Sequence, residues 1–151
     1  WRSGQAGFTL IEILVVIGII AILAAVVLIA INPVRQFKQA RDSQRISNVN
    51  AILNAIGQNM ADNKGLFKCG GVTTALPVTA MVMASSGSFD IRSCIVPVYM
   101  SELPVDPSTG VTSSVSYDAK YTVLQDSNTG RVTITAPDNE VDTSIDISVT
   151  R

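Results

Sequence analysis

The spacing of hydrophobic residues changes twice along this chain. From Phe8 to Ile31 they form a nearly unbroken run of 24 residues in which Glu12 is the only ionisable side chain. From Ile46 they recur three or four positions apart, and after Gly65 many of them alternate with polar residues. These patterns are typical of a membrane-spanning helix, an amphipathic helix and β-strands, in that order.

The first pattern predicts a membrane anchor. Of its 24 residues, 17 are Phe, Leu, Ile or Val. A helix of this length is about 36 Å long, which exceeds the roughly 30 Å of a bilayer core. The apolar side chains favour insertion by roughly 8 kcal/mol, whereas one central carboxylate costs about 3 kcal/mol and less near an end. We therefore expect a transmembrane helix over residues 8–32. Residues 1–7 lie before the apolar stretch and end in the small residues Ala6 and Gly7, and they are predicted to be a leader remnant.

The second pattern predicts that the helix continues over residues 33–64. Proline lacks a backbone N–H and restricts the residue before it, so we expect a kink at Pro33. The apolar positions then form one stripe, made of Ile46, Val49, Ile52, Leu53, Ile56 and Met60. The opposite face is predicted to be polar, with Gln44, Asn48 and Asn59. Gly65 is placed to end the helix in the left-handed conformation.

The third pattern predicts a β-rich head over residues 65–151. Residues 115–124 and 131–136 are predicted to form a hairpin around a turn at 126–130, and a last strand is expected from strict alternation at Ile145, Ile147 and Val149. Residues 72–84 are apolar but do not distinguish helix from strand. A small sheet needs a cover on one face, which the amphipathic stripe supplies. The predicted fold is α+β: a long kinked N-terminal helix packed on a small C-terminal antiparallel β-sheet.

The two cysteines, Cys69 and Cys94, both lie in the predicted head. The chain has no histidine and no Cys-x-x-Cys spacing, so a disulfide is favoured over a zinc site or a redox centre. Such a bond would close a loop of about 26 residues and stabilise the head by roughly 3 kcal/mol. Without histidine the usual Ser-His pairing is impossible, and we therefore expect no enzymatic activity.

Charge is distributed unevenly, although the formal net charge is only −1. Four basic residues face two acidic ones from Val34 to Asn63, whereas six basic residues face nine acidic ones from Lys64 onward. A basic stalk below an acidic head would attract neighbouring subunits, but an ordinary solvated helix face explains the same charges. This balance is far from that of a dedicated nucleic-acid-binding protein, and we expect no specific nucleic-acid partner.

Residues 7–12, GFTLIE, resemble the processing site of type IV pilins and type II secretion pseudopilins. The resemblance covers the first 60 residues and extends more loosely to residues 103–107, LPVDP, which are similar to a loop of many pseudopilins. It implies that a prepilin peptidase cuts between Gly7 and Phe8 and that the new amino group of Phe8 is methylated. It also implies that Glu12 pairs with the N-terminal amine of a neighbouring subunit. The alternative for Glu12 is a carboxylate that reaches the headgroup region and stays solvated.

The same resemblance implies a structural subunit of a type IV pilus-like or pseudopilus filament, serving adhesion, motility, DNA uptake or secretion. The expected partners are copies of itself or related pilins, an assembly ATPase and an inner-membrane platform protein. The subunit would cross the cytoplasmic membrane once with its head outside, and then enter an extracellular or periplasmic filament. The alternative is a monomeric, membrane-tethered head that binds a ligand and uses the helix only as an anchor.

A calcium site is the remaining alternative to a head without cofactors. Some secretion pseudopilins bind calcium in a C-terminal loop, and the oxygens for such a site are available here from Asp106, Asp138, Glu140 and Asp142. Residues 126–130 also begin like a calcium loop, but Pro137 stands where the closing glutamate belongs, which favours a hairpin turn. We therefore expect no metal or cofactor.

Overall fold

The computed structural model describes residues 7–151 and divides between Phe37 and Lys38 into two compact units, each of which is described by itself. Apart from Gly7, the predicted leader remnant lies outside the described residues. The first unit, from Gly7 to Phe37, is helical from Leu10 onward except at Asn32. The second unit contains the remainder of the long helix and all of the strands.

The long helix is divided into two pieces, α1 (Leu10–Ile31) and α2 (Pro33–Asp62). Asn32 separates them, with φ 44° and ψ 77° in the left-handed region. Pro33 has no N–H to donate to the preceding turn, so the α1 hydrogen-bond ladder cannot run through it. The N–H of Arg35 instead donates to the carbonyl of Asn32 (3.1 Å), which opens α2. The interruption therefore falls where the Asn-Pro pair predicts it.

The second unit contains two antiparallel sheets. The elements after α2 are β1 (Lys68–Cys69), β2 (Val72–Thr73), β3 (Met81–Ala84), α3 (Arg92–Ile95), β4 (Val111–Thr112), β5 (Tyr117–Gln125), β6 (Val132–Ala136) and β7 (Ile147–Thr150). The larger sheet has the order β3-β5-β6-β7, with β4 also paired to β5, and β1 pairs with β2. This arrangement confirms the predicted α+β fold.

The core lies between α2 and the larger sheet. Strand β5 alternates buried and half-buried positions, and its register with β6 places Val123 opposite Ile134. The predicted hairpin is thus confirmed, including its turn, in which Asp126 accepts hydrogen bonds from the backbone N–H groups of Asn128 and Thr129 (both 2.8 Å). On the helix side the buried apolar residues are Val49, Ile52, Leu53, Ala55 and Ile56.

The predicted faces of the amphipathic helix need correction. Ile46 belongs to the predicted apolar stripe, yet it is 49% exposed. Asn59 was expected on the polar face, yet it is buried, because its amide donates to the carbonyl of Lys68 (2.8 Å) and accepts from the N–H of the same residue (2.8 Å). Asn48, also expected on the polar face, is half-buried and donates to the hydroxyl of Tyr121 (2.9 Å). These hydrogen bonds remove the cost of placing an amide inside.

Of two predicted element boundaries, the end of α2 is confirmed and the start of the last strand is not. Helix α2 ends as expected, with Gly65 at φ 86° donating its N–H to the carbonyl of Met60 (2.8 Å). The last strand is shorter than predicted, because it begins at Ile147, and Ile145 is exposed. Pairing with β6 begins at Ile147, opposite Ala136, so alternation upstream of that pair has no partner strand.

Candidate functional site

Helix α1 exposes apolar side chains along its whole length. No residue of Leu10–Ile31 is buried, and the mean hydropathy of its most apolar stretch is 3.4. Among residues 7–151 it is the one helix that is long and apolar enough to cross a bilayer. Such a surface is unfavourable in water, so α1 requires lipid or other apolar helices around it.

The residues before α1 have no regular secondary structure. Gly7, Phe8 and Thr9 are exposed, and the Phe8 side chain is 83% accessible. A Cβ atom built on Gly7 would meet no heavy atom within 4 Å among the described residues. Within that part of the chain there is therefore no steric reason for glycine at this position.

Thr9 and Glu12 form a capping box at the start of α1. The N–H and the hydroxyl of Thr9 donate to Oε2 of Glu12 (2.8 and 2.7 Å), and the N–H of Glu12 donates to Oγ1 of Thr9 (3.3 Å). Two backbone donors that an uncapped helix would leave free are satisfied in this way. The Glu12 carboxylate thus has a partner within its own chain and remains accessible at the surface of the helix.

In the head, Cys69 and Cys94 are joined by a disulfide, as predicted. The bond connects β1 to α3. Asn59 lies beside it and also donates to the carbonyl of Cys94 (3.3 Å). The buried amide of Asn59 therefore bonds both segments to α2, and the disulfide joins them to each other.

A fully buried arginine, Arg45, forms the centre of a second cluster in the head. Its Nε and Nη2 donate to the two carboxylate oxygens of Asp106 (2.7 and 3.0 Å), and Nη2 also donates to Oγ of Ser108 (2.6 Å). Its Nη1 donates to Asp42 (2.7 Å) and Glu140 (3.1 Å). All five donors of the guanidinium are thereby used. We call these five residues the Arg45 network.

The Asp106 side of the network is held by its own loop. Its carboxylate accepts the backbone N–H groups of Ser108 (2.9 Å) and Thr109 (3.0 Å), while the N–H of Asp106 donates to the carbonyl of Ala119 in β5 (3.0 Å). Gly110 closes the loop, and a Cβ there would lie 2.5 Å from the backbone nitrogen of Asp106. The LPVDP resemblance therefore corresponds to a rigid loop that presents one carboxylate to a buried arginine.

The Glu140 side of the network ties the C-terminal loop to α2. Asp42 accepts the backbone N–H groups of Glu140 (3.0 Å) and Val141 (2.9 Å). The Nε of Arg41 donates to Glu140 (2.7 Å), so this carboxylate is shared by two arginines. The network therefore joins three segments that are far apart in sequence.

These contacts shift the pKa values of the network. Hydrogen bonds from Arg41, with support from Arg45, lower the pKa of Glu140 to about 2. Burial opposes ionisation of Asp106, but hydrogen bonds from Arg45 and from the loop N–H groups outweigh it and hold the pKa of Asp106 far below its usual range. Hydrogen bonding to Asp106 raises the pKa of Arg45 further. Arg45, Asp106 and Glu140 are therefore all charged at neutral pH.

The four carboxylates that could have formed a calcium site have other partners. Asp106 and Glu140 are bound by arginine, Asp138 accepts the hydroxyl of Thr109 (2.6 Å), and Asp142 accepts the N–H of Ser144 (3.1 Å). In the part of the chain that the structure describes, no group of three or more His, Cys, Asp or Glu side chains is placed to hold a metal ion.

Reasoning from the sequence did not find the Arg45 network. Three of its members carried a weak signal: Asp42 and Arg45 through their three-residue spacing, and Asp106 as the aspartate of the LPVDP loop. Their connection could not be inferred, because Arg45 and Asp106 are 61 residues apart.

Comparison with known proteins identifies the N-terminal segment. Residues 2–28 match the family model described as the prokaryotic N-terminal methylation motif. The match includes the Gly7–Phe8 junction, the capping box and most of α1. Searches of curated proteins and of solved structures returned no match. Residues 2–28 of this chain therefore carry the prepilin methylation motif that is typical of type IV pilins and pseudopilins.

Proposed function

We propose that this protein is a structural subunit of a type IV pilus-like or pseudopilus filament, assembled through α1. The observation that carries the proposal is that α1, most of which lies within the matched methylation motif, is apolar and has no buried residue. In the membrane that surface is covered by lipid. After extraction it has to be covered by other apolar helices, and burial at roughly 25 cal/mol per Å² favours a shared bundle of many copies. In such a bundle, different patches of neighbouring subunits contact each other, and heterologous contacts of this kind generate an open filament.

Processing precedes assembly in this proposal. A prepilin peptidase cleaves between Gly7 and Phe8, the new amine of Phe8 is methylated, and residues 8–32 remain as the membrane and polymerisation helix. The steric freedom at Gly7 supports this assignment, since the fold itself does not need a glycine there. Residues 33–64 and 65–151 then act as the amphipathic half of the helix and the head.

Glu12 has the role of pairing with the Phe8 amine of a neighbouring subunit. A carboxylate among apolar helices is costly unless it is paired, and a subunit at the wrong axial height would leave both charges without a partner. The pair therefore acts as a check on register. An assembly ATPase and an inner-membrane platform supply the work of extraction, and the filament is extracellular or periplasmic.

A monomeric, tethered, ligand-binding head is the second candidate, and one feature of the head favours it. A groove of about 520 Å³ lies between α2 and β6, lined by apolar residues that include Leu53, Ile56 and Val132. The groove is compatible with a small apolar ligand.

Fibres sheared from cells and examined by electron microscopy and mass spectrometry separate the two candidates. The filament proposal expects fibres that contain this chain with an N-terminus at methylated Phe8. Gly7→Leu is expected to leave uncleaved precursor in the membrane, and Glu12→Ala to be cleaved but to yield few fibres. Glu102→Ala, which removes an exposed carboxylate from the head, is the control and is expected to assemble normally. A processed, membrane-bound chain that never enters fibres would favour the tethered head.

A further inference from the structure

The capping box places the start of α1 immediately after the proposed cleavage site. Thr9 has φ −79° and ψ 151°, an extended conformation, and the helix begins at the next residue. The Gly7–Phe8 peptide bond consequently lies outside the helical hydrogen-bond ladder and is exposed. One more turn of helix would engage the carbonyl of Gly7 with the N–H of Ile11 and shield it.

A cap is the feature that prevents such an extension. The first N–H groups of a helix have no intrahelical partner, and in or near hydrocarbon each unsatisfied group costs several kcal/mol. At Thr9 the side-chain oxygen satisfies the N–H of Glu12, and Glu12 in return satisfies the N–H of Thr9. Without these bonds, the orphan N–H groups near the membrane are best satisfied if the helix grows upstream through Phe8 and Gly7.

We propose that Thr9 is a positioning residue for precursor processing: its capping box with Glu12 ends the helix after the cleavage site and presents the Gly7–Phe8 bond in a non-helical form. Water then adds across that bond, which yields the Gly7 carboxylate and the free amine of Phe8. Accessible, non-helical backbone is where proteases act most readily. The inference rests on the proposed cleavage between Gly7 and Phe8 and goes beyond it by assigning a role to Thr9.

The test measures the rate at which full-length precursor is converted to mature protein in membranes that contain the prepilin peptidase. Thr9→Val keeps the shape of the side chain and removes the hydroxyl, and we expect processing about fivefold slower, the factor that a typical N-cap contributes to an equilibrium. Thr9→Ser and Thr9→Asn both retain a good cap, and we expect rates within about twofold of wild type. Thr143→Val, the same change at an exposed position of the head, is the matched control.

A second measurement reads the helix start directly. In the isotope-labelled full chain in micelles, the Phe8 Cα chemical shift is expected to stay non-helical in wild type and in Thr9→Asn, and to move towards helical values in Thr9→Val. This readout does not depend on the peptidase. A non-helical Phe8 in Thr9→Val would overturn the inference.

The pattern of rates distinguishes capping from direct recognition of the side chain. If the peptidase reads the shape of threonine, Thr9→Val is processed normally and Thr9→Asn slowly, which would overturn the capping role and leave the filament proposal intact. If wild-type precursor is not cleaved at Gly7–Phe8 at all, the processing proposal and this inference fail together.

Discussion

The anchor, α1, and the head, taken here as the whole unit from Lys38 to Arg151, place their apolar side chains in opposite surroundings. In α1 no residue is buried, whereas α2 buries seven, five of them apolar, against the sheet of the head. Composition explains part of the difference, because 20 of the 22 residues of α1 are Ile, Val, Leu or Ala, against 10 of the 30 residues of α2. The head provides its own apolar partner in the form of a sheet, and α1 has to obtain one from lipid or from other chains.

Their charged groups differ in the same way. In the head the carboxylate of Asp106 is matched by a buried arginine, and among residues 7–151 every buried side-chain nitrogen or oxygen has a hydrogen-bond partner. In the anchor, Glu12 is accessible and is bonded only by Thr9. The buried polar groups of the head are thus all paired within the chain, whereas the apolar surface and the carboxylate of α1 are available to a partner molecule.

The largest expected effect comes from removing the charge at the centre of the head. Arg45→Met leaves Asp106 buried without its arginine, and we expect the free energy of unfolding to fall by about 3–5 kcal/mol. Denaturant titration of the full chain in detergent measures this, with near-UV circular dichroism reporting on the three tyrosines, all of which lie in the head.

Two further variants test the reason for that loss. Arg131→Met removes an exposed arginine from the same unit, and we expect a change within about 0.5 kcal/mol. Arg45→Met combined with Asp106→Asn removes both charges, keeps an oxygen acceptor for the N–H groups of Ser108 and Thr109, and is expected to recover much of the stability. A double variant as unstable as Arg45→Met alone would show that packing, and not an unpaired buried carboxylate, causes the loss.

The same substitution in the two regions should have different consequences. Ile56→Ala empties a fully buried site in the head, and we expect the free energy of unfolding to fall by about 3 kcal/mol. Ile20→Ala lies in the exposed part of α1, and we expect no change in head unfolding but filaments that dissociate at lower detergent concentration. If Ile20→Ala destabilised the head and left filaments unchanged, the contrast between the two regions would be wrong.

A fall in pH should lower the free energy of unfolding of the head by less than Arg45→Met or Ile56→Ala does. The folded pKa of Glu140 is about 2 and that of Asp106 is also depressed, whereas unfolded carboxyl groups titrate near pH 4. Between these values the unfolded state binds more protons, so stability is constant above about pH 5 and is lost as the pH falls towards 2. Thermal unfolding from pH 8 to pH 2 measures the decline. Glu140→Gln should flatten part of it, and an unchanged profile would exclude Glu140 as a source.

Local patterns predicted the elements whose structure depends on local physics. A run of 24 residues with one charge predicts a long apolar helix, and the Asn-Pro pair, the turn at residues 126–130 and Gly65 each act over a few residues. The disulfide was predictable because the chain offers only two cysteines and no alternative ligands. These features follow from residue type and nearest neighbours.

The Arg45 network depends on contacts that a periodic pattern cannot express. Hydrophobic spacing assigns every arginine and asparagine to water, yet Arg45 and Asn59 are buried, because Asp106 bonds to Arg45 and the backbone of Lys68 and Cys94 bonds to Asn59. Arg45 meets Asp106 and Glu140, which are 61 and 95 residues away. Only the folded chain brings these groups together.

The smallest expected change in the free energy of unfolding is at Ile46, and it tests whether the burial of Arg45 explains the exposure of Ile46. The turn of α2 that begins at Arg45 presents the guanidinium to the head, which leaves the next residue, Ile46, rotated by about 100° and half exposed. Ile46→Ser should therefore change the free energy of unfolding by less than about 0.5 kcal/mol. Val49→Ser, one turn later and fully buried, should cost more than about 2 kcal/mol in the same titration. If the two variants were equally destabilised, Ile46 would belong to the core, and the explanation that the burial of Arg45 turns Ile46 away from the core would be wrong. If Ile46→Ser reduced the fibre yield and left the free energy of unfolding unchanged, Ile46 would be a contact between copies.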